Sequence, residues 1–101
     1  MRLTELGPIW LSENMFAFRC PHCLKTWLTC KNSAIGAEEQ RDLAIAARLE
    51  PTGPRYGAVL SKPSLAWNWD ENDFANMTVT PSIDASASGH WHGCITKGQI
   101  K

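Results

Sequence analysis

The sequence predicts an α+β domain that is mainly β, a small zinc-organised unit of β-hairpins with one surface helix. Three observations lead there. Short apolar segments with period-two alternation, bounded by Gly, Pro and Asn, occur near both ends of the chain, the pattern of half-buried strands. A single stretch, residues 37–49, is dominated by Ala, Leu, Glu, Gln and Arg, all good helix formers. Finally, Cys20-Pro21-His22-Cys23 near the start and His90-Trp91-His92-Gly93-Cys94 near the end carry thiol and imidazole groups, the preferred ligands of zinc. A chain of 101 residues suits one domain with a modest core, so residues 1–101 are read as a single unit with a helical insertion at about 35–50.

The elements follow in order. Gly7-Pro8-Ile9-Trp10-Leu11-Ser12 reads as a strand entered from a turn. Met15 to Arg19 is richer in aromatic residues and runs straight into Cys20, so the first motif caps a strand. Leu24 to Cys30 reads as the returning strand, with Trp27 and Thr29 on one side and Leu28 and Cys30 on the other. Together these make a knuckle on a hairpin, whose turn offers backbone N–H groups to the thiolates.

In the helix, Glu38 and Glu39 in the first turn and Arg48 in the last suit the helix dipole. Leu43, Ala46 and Ala47, with Ile35 or Leu49, give a narrow apolar stripe, and Pro51, Gly53 and Pro54 end the helix. Residues 57–60 read as a further strand. Met77 to Thr80 alternates, residues 84–89 are small and polar, and Trp91 to Ile100 reads as a hairpin with Lys97-Gly98 at its tip.

Composition narrows the function. The hydrophobic fraction of 44% is that of a globular protein, and ten acidic side chains balance ten basic ones. No cluster of Lys and Arg marks a phosphate-binding surface, which weighs against nucleic acid as a partner. No apolar run approaches the roughly 20 residues of a membrane span. The start, Met1-Arg2-Leu3-Thr4-Glu5-Leu6, does not resemble a signal peptide, so a soluble protein of the cytosol is expected. In that reducing compartment four cysteines favour metal over disulfides.

The spacing of Cys20 and Cys23 lets both sulfurs reach one ion. Redox pairs share it, but a thioredoxin-type pair opens a helix, whereas β-forming residues follow here. His90, His92 and Cys94 fall at i, i+2 and i+4, which on an extended strand share one face with Trp91 opposite. The expected ligand set is Cys20, Cys23, His90 and His92, with Cys94 as the alternative to either histidine. His22 reads as a solvent-facing turn residue and Cys30 as a small buried hydrophobe. Trp67 and Trp69 share a face if their segment is extended. Core packing is the plainer reading for them, and an exposed anchor for a protein partner the sharper one.

These landmarks bring a family into view. Cys-Pro-x-Cys after a strand, Met77-Thr-Val-Thr-Pro-Ser-Ile83, Gly89-His-Trp-His-Gly93 and a turn at Gly98 resemble a group of small phage and bacterial proteins of unknown function. Its phage members often carry the label "ammonia monooxygenase". In many relatives a Cys precedes Trp-His-Gly. Gly89-His90 occupies that region here, which makes His90 the substitute ligand. The label itself fits poorly, because ammonia oxidation needs a redox metal in a membrane assembly and zinc has no redox chemistry.

The leading expectation is therefore a non-catalytic zinc protein of phage origin acting through a host or phage protein partner, in host takeover, counter-defence or an accessory role. One alternative is a minor virion or assembly component. Another is a zinc hydrolase, which needs an open metal position and a general base. No His-Glu-x-x-His is present, and only Asp84, Ser82 and His22 lie near the ligands in sequence.

Overall fold

The computed structural model describes residues 1–34, 66–86 and 89–101, with positions 36, 38, 41, 42, 45, 48 and 49 between them. Among these residues, seven antiparallel strands form two sheets. The first is a meander of β1 (Ile9–Ser12), β2 (Met15–Arg19) and β3 (Trp27–Lys31). The second runs in order through β4 (Asn68–Trp69), β5 (Val79–Asp84), β6 (His92–Thr96) and β7 (Gln99–Ile100). The mainly β class read from the sequence is the one found.

In the first sheet the alternation works as expected. Phe16 stands opposite Cys30 and Phe18 opposite Leu28, and these four turn into the core shared with the second sheet. Met15, Ala17, Thr29 and Lys31 alternate with them and are buried as well, so β2 and most of β3 are covered on both faces. In the second sheet, Lys97 and Gly98 both adopt positive φ (48° and 74°) and close the β6–β7 hairpin as a two-residue turn. Strand β5 runs further than its alternating start suggests, from Val79 through Pro81 to Asp84. Its ladder with β6 is irregular between Val79 and Ile83, which accommodates a proline that has no N–H to donate.

The sheets meet through aromatic rings. Phe16 stands edge-on to Trp69 at 5.1 Å, Trp10 stacks on Phe74 at 4.8 Å, and Phe18 meets Trp91 edge-on at 6.1 Å. Each such pair adds about 0.5–1.5 kcal/mol beyond the area it buries. The N-terminus ties the sheets as well. Leu3 N donates to Gly98 O and Ile100 N to Met1 O, both at 2.8 Å, before a 3-10 turn (Leu3–Leu6) buries both leucines and leads to β1.

Core packing, the plainer reading of the tryptophans, is the one found, and Trp67 cannot serve as an exposed anchor: it is 4% exposed, belongs to the core, and its backbone N–H crosses to Lys31 O at 2.8 Å. Trp69 is half-buried against the same core, its indole N–H donating to Asn72. The hydrogen bond to Lys31 and the β4 pairing at Asn68–Trp69 hold this segment against the core, and both indoles pack there. Strand β3 begins at Trp27 rather than Leu24, for reasons seen at the site below. The predicted helix over 37–49 lies mostly outside the described residues, and strand 57–60 wholly so. The described members of the helix have helical backbone, with Ile45 and Leu49 exposed.

Candidate metal centre

Residues 20–26 form the loop that joins β2 to β3. Cys20 N donates to Thr26 O and Leu24 N to Cys20 O, both at 2.8 Å, so the loop folds tightly on itself. Leu24 takes φ = 60°, a left-handed conformation that costs a side-chain-bearing residue roughly 1–2 kcal/mol. That reversal keeps residues 24–26 out of the ladder. It also turns the Thr26 N–H onto Cys23 Sγ at 3.4 Å. Hydrogen bonds from Thr26, side chain then backbone, and from the Lys25 backbone lower the pKa of the exposed Cys23 thiol to about 6. Arg19 pins the base of the loop, donating to Lys25 O at 2.6 Å while its guanidinium lies 4.1 Å from the Trp27 ring centre.

The second half of the site comes from the segment entering β6. His90 N donates to Ala85 O and Ala85 N to Trp91 O, each at 3.0 Å. Two consecutive residues thus oppose one, the arrangement of a β-bulge. Trp91 is buried, and its ring lies against Phe18, two residues before Cys20. Gly93 makes this possible: a Cβ there would fall 2.5 Å from the Trp91 ring. The Trp-x-Gly pattern therefore anchors the segment over the first sheet and sets His90 above the knuckle.

The outcome is a group of three. The ligand atoms of Cys20, Cys23 and His90 lie within 4.8 Å of one another, and Cys23 Sγ stands 3.8 Å from His90 Nδ1. Tetrahedral zinc, with bonds of roughly 2.3 Å to sulfur and 2.0–2.1 Å to nitrogen, would separate sulfur from nitrogen by about 3.6 Å and sulfur from sulfur by about 3.8 Å. The widest separation allowed within the group therefore needs to close by at most about 1 Å. Cys20 is fully buried, Cys23 exposed and His90 half-buried, so one side of the group faces the core and the other faces water. These residues could hold a metal ion.

Three of the four expected ligands come together, and the fourth does not. His92 stands on β6 opposite Asp84, exposed, and is not a member of the group. The alternation that would place His90 and His92 on one face is interrupted by the bulge at His90-Trp91. Cys94, the alternative, is likewise exposed on β6 and outside the group. His22 is exposed in the loop, and Cys30 is a buried core residue whose thiol pKa is driven upward by desolvation. Trp91 and Gly93 position the site without binding metal. Their signal in the sequence was a glycine two residues after a tryptophan.

Fold and site together define a two-sheet β domain with a cluster of two thiols and one imidazole at the edge of its core. No family model, curated protein or solved structure matches the chain. Among the described residues, no helix is long and apolar enough to cross a membrane.

Proposed function

We propose that this chain is a non-catalytic zinc-binding domain, in which one ion on Cys20, Cys23 and His90 fastens the β2–β3 loop to the segment entering β6. Zinc is favoured by the donor set, since two thiolates and an imidazole are soft to intermediate ligands that calcium and magnesium avoid. The observation that carries this reading is the convergence of three such donors, within 4.8 Å of one another, from opposite ends of the sequence. A hydrolase would need a base, and among the described residues no carboxylate belongs to the group. The domain then works through a macromolecular partner. The resemblance drawn from the sequence motifs suggests a phage accessory, takeover or counter-defence protein, with a minor virion role as the alternative.

Metal analysis of the purified full chain tests the reading. One zinc per chain is expected, removed by a chelator together with part of the thermal stability. Chain that purifies and folds without metal, and takes up none when zinc is added, refutes it.

A further inference from the structure

We infer that the ion held by Cys20, Cys23 and His90 keeps a fourth coordination position open to solvent, where it takes a monodentate thiolate or imidazole donor from outside the chain. This rests on the zinc reading above. All four cysteines and all three histidines are among the described residues, so the candidates can be followed one by one. Cys30 is sealed in the core opposite Phe16. His92 and Cys94 lie beyond the bulge on the exposed face of β6, and bringing His92 to the ion would break its register with Asp84. His22, between the two ligating cysteines, is exposed and outside the group. No described carboxylate belongs to it either.

The open side has a recognisable character. Buried Cys20 closes the ion toward the core, while exposed Cys23 and half-buried His90 leave the opposite side to water. Leu24, next to Cys23 in the loop, has a left-handed backbone and is 56% exposed. Zinc with two thiolates and one neutral imidazole carries no net charge, which makes it a weak activator of bound water, and among the described residues no carboxylate belongs to the group. Sulfur and nitrogen donors are then the favoured fourth ligands. Either a small thiol or imidazole compound, or a Cys or His side chain of a second copy or partner, has this chemistry.

The full chain is loaded with cobalt(II) in place of zinc, and imidazole and 2-mercaptoethanol are titrated in. One cobalt per chain is expected, with tetrahedral d–d bands that each titrant shifts to saturation. Mercaptoethanol should also add sulfur-to-cobalt charge-transfer intensity. The same shifts should persist in the triple variant His22→Ala, His92→Ala, Cys94→Ser. A zinc-dependent dimer in sedimentation, dissociating on dilution as these shifts appear, assigns the donor to a second copy. A monomer that binds the small thiol at every concentration assigns it to free molecules. Bands that neither titrant moves overturn the inference while leaving the zinc reading intact, and the single variant whose bands collapse then names the internal ligand. Failure to bind either cobalt or zinc removes the zinc reading itself, and this inference with it.

Discussion

Replacing Cys23 by alanine separates the metal's contribution to stability from the core's. Cys23 is exposed, and in the metal-free chain its sulfur accepts hydrogen bonds from Thr26 and from the Lys25 backbone and lies 3.8 Å from His90 Nδ1. Truncating an exposed side chain of this kind costs within about 0.5 kcal/mol. With metal the loss is larger. A ligand bound only by the folded state stabilises it by RT ln(1 + [L]/Kd), about 4.1 kcal/mol when free zinc stands at roughly 1,000 times Kd. At roughly 4–8 °C per kcal/mol for a domain of this size, that is a shift on the order of 15–30 °C.

The assay is thermal melting by circular dichroism, wild type against Cys23→Ala, each with saturating zinc and with excess chelator. Wild type should lose most of that interval on chelation, the variant should barely respond, and the two chelated proteins should melt far closer together than the two zinc-treated ones. Equal responses to chelator in both proteins would refute the reasoning. So would a chelated variant several kcal/mol below chelated wild type. Cys20 is a poorer probe, because it is buried and its truncation leaves a cavity as well.

Other expectations follow from the same structure. In metal-free protein, alkylation of Cys23 should rise with pH through a midpoint near 6, and the native fold should shield Cys30 throughout; mass spectrometry after timed iodoacetamide treatment reads both. Because folding depresses the Cys23 pKa, its contribution to metal-free stability is present above the ordinary thiol range and disappears as pH falls through about 6, which denaturant melts across that window should register. Phe16→Ala empties the centre of the aromatic seam and should cost roughly 3–5 kcal/mol by urea melting, with or without zinc. Gly93→Ala forces the Trp91 ring off its seat, at about 1–3 kcal/mol, and should weaken metal affinity measured by competition with a chromophoric chelator, although residue 93 touches no metal.

Much of this was legible in the sequence because the signals were local. Strand β1 follows from the Gly7-Pro8 turn before it, β2 from its aromatic residues, and the β6–β7 hairpin from Lys97-Gly98, whose positive φ angles a two-residue turn requires. Cys20 and Cys23 declared themselves by spacing. What stayed hidden depended on distant partners. Nothing near residue 90 announces that Ala85 will face two residues, yet that bulge decides which histidine reaches the sulfurs. Trp67 is claimed by the core through a backbone hydrogen bond to Lys31, far away in sequence. The late start of β3 depends on Leu24 adopting a conformation leucine seldom takes. Phe16, Phe18, Trp69 and Trp91 bind the two sheets directly, without metal. Chelated protein should therefore melt at a lower temperature rather than arrive unfolded.

The most direct measurement is zinc stoichiometry, by mass spectrometry under native conditions, across single variants at the four motif positions. Cys20→Ser, Cys23→Ser and His90→Ala should each lose the ion, whereas His92→Ala should retain one zinc per chain. Retention by His90→Ala together with loss by His92→Ala would contradict the geometry on which the account stands.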